Sequence, residues 1–425
     1  MSPMFPPEKE NLSTPPTARE SAVHDADGIS SWRPTLYVMF TAQLLSIVGF
    51  AFVLPFIPFY IREIGVTDEK LVPVWAGILG AAASLTMTVF SPIWGWLSDR
   101  YGRKLMVERA MFAGAVITMA MGMVGDVYQL LVLRLLSGVF TGTISASISL
   151  VSSVLPVANL GFGLGLMQVA VFLGMTLGPW LGGMIADAVG YRLTFIAGGL
   201  LLLLGGLLVL MKAKEQFVRP SSSSLKQSGR MRTLFALPGF VSLMAVFFLF
   251  HFSIQIAIPV LPLFIEEVGN LKTEVASTTG LMFAVTGATA SVSAVAIGYL
   301  SDRIGHRRVL IVNLFITGLM WATHALARSI PQLLVIRILF GFAAGGNLPT
   351  LNALVGKLTT KETYGKAYGL MASMTSLGMT LGPLAGGILA SHLGFRWPFV
   401  VVSLLLILVV IPVITNVKRG QNPVR

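Results

Sequence analysis

Gly95-Trp-Leu-Ser-Asp99-Arg100-Tyr-Gly102-Arg103-Lys104 closes one long apolar run and precedes another. A second copy, Gly298-Tyr-Leu-Ser-Asp302-Arg303-Ile-Gly305-His306-Arg307-Arg308, stands 203 residues later (298 − 95). Two matched charged turns, each between apolar segments long enough to cross a bilayer, point to a duplicated polytopic membrane protein.

The composition agrees. Of 425 residues 55% are hydrophobic and only 11% are charged, against about a quarter charged in soluble domains. Too few charges are present to cover a soluble surface. The apolar runs do not alternate with polar residues, so helices rather than a β-barrel are expected. Cysteine is absent, which excludes disulfides, thiolate metal sites and redox cysteines. The five histidines are scattered and build no metal site. The net charge of +12 sits in short loops, which argues against nucleic acid as partner. Residues 1–34 read as a disordered cytoplasmic arm and not as a signal peptide.

The runs predict twelve spans in two bundles, over residues 35–211 and 238–416. A cytoplasmic linker, 212–237, joins them and a short tail, 417–425, follows. Lys and Arg fix the orientation. With the amino terminus inside, inner segments hold 22 of the 30 and outer loops 6, and Arg134 and Arg337 lie within spans. Both termini are therefore expected in the cytoplasm of a multi-pass plasma-membrane protein.

The repeat reaches well beyond the charged turns. Pro55 and Pro58 match Pro259 and Pro262 at a shift of 204, and Arg134 and Gly138 match Arg337 and Gly341 at 203. The row Gly165, Gly174, Gly178, Pro179, Gly182, Gly183 recurs as Gly369, Gly378, Gly382, Pro383, Gly386, Gly387, at 204. Two related halves imply a pseudo-two-fold axis along the membrane normal with a passage between them.

Each motif has two readings. Gly95, Asp99, Arg100, Gly102, Arg103 and their copies Gly298, Asp302, Arg303, Gly305 form either a topology-setting turn or a latch. As a latch, Asp99 faces the positive amino end of the eleventh span and Asp302 that of the fifth. The glycine rows are ordinary small-residue packing or a specific bare-backbone seam kinked at proline. Arg134 and its mate Arg337 lie inside spans, where charge is costly; each is a structural tether or a functional group. His251, one turn from Gln255, can titrate, touch substrate, or simply bond within the bundle. Gln43, Gln168, Gln255, Asn347 and Asn352 are candidates for lining the cavity. No Asp or Glu falls near the centre of any span, which favours neutral or weakly charged lipophilic substrates over organic cations.

The sequence resembles the major facilitator superfamily. Asp99, Arg100, Gly102 and Arg103 stand at its loop 2-3 signature, Arg134 and Gly138 at its fourth-span signature, and the glycine row at the fifth-span signature of its drug:proton antiporters. It is most similar to bacterial MdtG-like and tetracycline-type exporters. The resemblance implies an all-α fold of twelve helices, no cofactor beyond a proton gradient, a monomer, and a proton-coupling role for Arg134. Two departures stand out. Serines 145, 147, 149 and 152 occupy the inner end of the fourth span, where relatives often carry an acid, and His306 replaces the usual arginine. No phosphate loop and no hydrolase signature is present, so neither an ATP motor nor an enzyme is expected. An importer of the same fold and a membrane sensor remain as alternatives.

Overall fold

The computed structural model describes residues 32–215, 234–235, 239–359 and 364–415. Nearly all of the arm, most of the linker and the tail lie outside them. The described residues contain no strand. They form twelve helical rods: α1 Trp32–Glu63, α2 Leu71–Tyr101, α3 Arg103–Met121, α4 Val127–Val154, α5 Leu160–Val189 and α6 Tyr191–Lys212. The second set is α7 Phe240–Gly269, α8 Val275–Ile304, α9 His306–Ala325, α10 Ile330–Leu358, α11 Tyr364–Leu393 and α12 Trp397–Thr415. Ten are long and apolar enough to cross a membrane. In the other two the apolar run is diluted, in α3 by Arg103, Lys104, Glu108 and Arg109, and in α11 by its Gly, Ser and Thr.

The duplication is visible in the breaks. α1 gives way to a 3-10 turn over Leu54–Phe56, and α7 to a turn at Pro259, its repeat mate being Pro55. A proline inside a rod removes a backbone donor and clashes with the preceding turn. α4 breaks at Thr141–Gly142, where Gly142 adopts φ 115°, and α10 breaks at Gly345–Gly346. The capping chemistry repeats too: Asp126 accepts from the amides of Tyr128 and Gln129 at the start of α4, and Ser329 from Gln332 at the start of α10. Each such cap satisfies donors the helix leaves unpaired.

The charged motifs are helix ends rather than turns. α2 runs through Asp99 and Arg100 to Tyr101, and α8 through Asp302 and Arg303 to Ile304. Each turn shrinks to one residue, Gly102 at φ 102° and Gly305 at φ 98°, a region that suits only glycine. Described structure reaches into the segments expected as arm and linker. Helix α1 already starts at Trp32. Glu215 is docked, its carboxylate accepting from the amides of Arg103 and Lys104 at 3.0 and 2.8 Å.

Apolar side chains line the outer faces. Leu200, Leu204, Leu207 and Met211 on α6 and Leu404, Leu408 and Ile411 on α12 are exposed at helical spacing, the pattern of a surface bathed in lipid. The second bundle has one large core around Phe240, Phe264, Trp321 and Phe399. The first has two. The one around Phe56, Tyr60 and Phe195 takes in Leu263 and Ala276 of the second bundle. The other, around Leu36, Val107, Leu150 and Val209, holds first-bundle residues alone. Apolar packing thus crosses between bundles at one end of the molecule.

Candidate functional site: a passage closed at one end

The two bundles meet along α5 against α8 and α2 against α11. At the end remote from the charged motifs the contact is backbone to backbone. A methyl group on Gly183 would overlap the carbonyl of Ala276, and one on Gly280 that of Pro179. Gly77 presses likewise on Pro383, and Gly387 on Pro73. Each of these four helices carries a second glycine on the same face, eighteen residues or about five turns away. These are Gly165 on α5, Gly298 on α8, Gly95 on α2 and Gly369 on α11. At all four a methyl group would meet nothing within 4 Å. The seam is therefore shut at the far end and parted, about 27 Å along, at the motif end.

The other glycines of the rows face inward. Gly174, Gly178 and Gly182 seat α5 on Ile47, Val48, Ala51 and Phe52 of α1. Gly378, Gly382 and Gly386 seat α11 on α7 at His251, Phe252, Gln255 and Ile256. The rows thus do two jobs: three glycines hold each seam helix to its own bundle, and one lets it touch the other.

Polar groups reinforce the shut end. Asp187 of α5 caps α8, its two carboxylate oxygens accepting from the amides of Ala276 and Ser277 at 3.2 and 2.8 Å. Arg62 on α1 donates to Glu266 on α7 at 2.6 Å and also to Glu69. Glu63 pairs with Arg192 at 3.1 Å. Arg62 and Glu266 are 204 residues apart, which is the repeat shift. A position can touch its own repeat mate only where the pseudo-two-fold axis passes, so this ion pair marks the axis. The sequence holds the signal, opposite charges at mated positions, but nothing in either half alone shows it.

At the motif end the expected latch is not engaged. Asp99 is exposed and has no ion pair or hydrogen bond among the described residues. Asp302 is exposed and its nearest partner is His306, just across Gly305 at the start of α9, at 3.7 Å. Arg100 lies over Trp96 and Tyr101, and Arg303 over Tyr299, all local contacts. Arg103 joins the Glu215 cap through its backbone.

The intramembrane residues fall into four pairs. Arg134 is half-buried and donates from Nε to the Leu79 carbonyl of α2 at 3.1 Å; Gly138 one turn on lets α4 press against Ala83 and Thr86. Its mate Arg337 is buried between the rings of Phe283 and Phe340. His251 is half-buried, with Nδ1 at 2.9 Å from the Phe247 carbonyl and 3.5 Å from the Thr375 hydroxyl, and Gln255 follows against Gly382. Gln168 is exposed on α5 and Asn352 half-buried on α10. Two cavity candidates are displaced. Gln43, only 1% exposed, is sealed inside the first bundle. Asn347, 0% exposed, accepts from Asn313 and donates to Thr317. It ties α10 to α9 at the break in α10, because a buried amide needs partners and the broken rod leaves room for them.

Two homologous bundles sharing a glycine seam, shut at one end and parted at the other, define a carrier that opens to one side at a time, and not an enzyme. The sequence matches the Major Facilitator Superfamily profile over residues 39–276 and 243–424, and the chain belongs to that superfamily. It is 31% identical over 375 residues to "Multi-drug resistance efflux pump PmrA" of Streptococcus pneumoniae, covering 88% of this chain and 94% of that one. It is also 31% identical over 382 residues to "Multidrug resistance protein MdtG" of Klebsiella pneumoniae, covering 89% and 92%. The fold superposes with a TM-score of 0.76 on a bacterial homologue of the human lysosomal transporter Spinster in an inward-facing, occupied conformation. That match has 15% identity and covers 89% of this chain and 95% of the other.

Proposed function

We propose that the chain exports small lipophilic compounds across the plasma membrane in exchange for protons, as a monomer of twelve spans. The excess of positive charge supports a cytoplasmic motif end, and on that reading the conformation described here is open inward. The observation that carries this reading is the glycine quartet at each end. Four glycines are pressed on opposing backbone and four, one face and about five turns away, stand clear. A seam with matched contact faces at both ends and only one in use is built to rock.

Residue spacing along the antiparallel seam says what meets when the cytoplasmic side closes. Continuing the register of Gly287 against Thr176 brings Gly165 opposite Gly298. Continuing that of Gly80 against Pro383 brings Gly95 close to Gly369. Asp99 then reaches the amino end of α11 and Asp302 that of α5. The relatives' drug-efflux names support export, and the lack of any central acid supports neutral or weakly charged substrates. Arg134 is the candidate coupling residue, with His251 the candidate titrating group.

The test is efflux of a lipophilic dye from cells expressing the chain, with and without a protonophore. Efflux abolished by the protonophore supports the reading. Gradient-driven accumulation of substrate instead would identify an importer, and no flux in either direction a sensor.

A further inference from the structure

Three side-chain nitrogens around Phe340 have no hydrogen-bond partner among the described residues: Nε1 of Trp321, Nε2 of His324 and Nε of Arg337. Their residues are 3%, 0% and 3% exposed. They share one neighbour. The Phe340 ring centre lies 4.6 Å from that of Trp321, 5.3 Å from that of His324 and 5.5 Å from the Arg337 guanidinium carbon. Trp321 and His324 are themselves 4.8 Å apart, with Phe399 behind both.

Arg337 has no counter-charge. The ion pairs among the described residues join Arg62, Lys104, Arg192 and His306 to acids, and none involves Arg337. Its repeat mate Arg134 rests on a carbonyl. The first-bundle positions equivalent to Trp321 and His324, at the shift of 203 that relates Arg134 to Arg337, are Thr118 and Met121, so the aromatic cluster belongs to the second bundle alone. Flanking phenyl rings soften the charge but supply no hydrogen-bond acceptor. A buried cation walled by apolar rings, with an unpartnered indole N–H packed on the same phenyl ring, is strongly disfavoured unless an anion completes it.

We propose that Trp321, His324 and Arg337 form a buried site for a halide-sized monovalent anion, chloride being the natural occupant. Arg337 supplies the charge and one N–H, and Trp321 a second. His324 holds its Nδ1 hydrogen toward the Met320 carbonyl at 2.8 Å, so its ring walls the site without donating to the anion. The side chains packed on its ring are Trp321, Phe340 and Phe399, and Arg337 is the charged group facing it. A water molecule could answer the donors but would leave the guanidinium unneutralised. The anion ties α9 to α10 and is distinct from the seam that moves.

The experiment follows the thermal midpoint of the purified full chain by circular dichroism, with chloride or bromide exchanged for gluconate at fixed ionic strength and pH. The wild-type midpoint rises saturably with either halide. Trp321→Phe, which deletes one donor, weakens the apparent affinity about ten-fold. Arg337→Gln removes the halide response, while Arg134→Gln in the other bundle keeps it. Should Arg337→Gln fail to fold, the Trp321→Phe titration decides alone. Equal midpoints in chloride and gluconate, the signature of a buried water only, would overturn the site, as would an unchanged titration in Trp321→Phe.

Discussion

The shut end and the motif end of the seam are built from the same parts, yet one is clasped and the other free. Each has four glycines on the contact faces of α2, α5, α8 and α11. What differs is where the charges sit. At the shut end Asp187, Arg62 and Glu266 reach across between bundles, whereas at the motif end Asp99 and Asp302 are exposed and, among the described residues, pair with nothing of the other bundle. The lesson is that bare backbone makes either closure possible, and a few polar groups at each end select between them. Population arithmetic makes this plausible: a few kcal/mol of differential contact suffices to move a two-state carrier from one side to the other.

The severest way to break the comparison is to fill the shut end. Leucine at Gly183 or Gly387 would drive a side chain into the facing backbone of Ala276 or Pro73. Either change is expected to cost transport at least about 100-fold, since backbone cannot yield as a side-chain tip does. Because the chain has no cysteine, a single cysteine introduced near Gly190 reports the consequence. It should become reactive to an impermeant thiol reagent from outside. Full efflux with an unreactive cysteine would show that this contact is not a gate.

Next comes the other end. Asp99→Asn should lower efflux at least about ten-fold with normal insertion, because an amide answers a helix amino end far less well than a carboxylate. The matching geometric test pairs cysteines at positions 165 and 298, or 95 and 369. Crosslinks should form only under conditions that close the cytoplasmic side. Normal efflux by well-expressed Asp99→Asn would remove the latch. Arg134→Ala should leave folding intact and flatten the pH dependence of efflux; an unchanged profile would return Arg134 to the role of tether for the Leu79 carbonyl.

Much of this was legible in the residues alone, and the reason is the duplication. The rods, the repeat, the glycine rows and the buried arginines are all periodic or local features. The ion pair between Arg62 and Glu266 was not legible, because each residue reads as an ordinary loop-side charge until the axis brings the mates together. The state of the passage was equally hidden, since Gly165 and Gly183 look alike in sequence and only packing separates them. Asn347 reads as a cavity amide, yet Asn313 and Thr317 claim it from a neighbouring helix. The end of α2 reads as a charged turn because helix and turn share the residues Asp, Arg and Gly, and only the φ of Gly102 shows where the helix stops.

The smallest expected effect sharpens the comparison most. Side chains of Arg62 and Glu266 are 27% and 28% exposed, so solvent screens their attraction, and the pair contributes about 1 kcal/mol to holding the shut end. Glu266→Gln should therefore shift the balance toward the outward-open form only about five-fold, read as faster labelling of an outer-side cysteine. Glu266→Arg sets two cations on the axis and should shift it further. The decisive variant is the exchange Arg62→Glu with Glu266→Arg. On a true two-fold axis the swapped pair occupies equivalent ground, so labelling should return close to the wild-type rate. Glu69, which also binds Arg62, sits on the first bundle alone and is the one partner the exchange does not mirror. A residual defect cured by Glu69→Gln would locate that asymmetry, whereas an exchange no better than Glu266→Arg would place the pair off the axis.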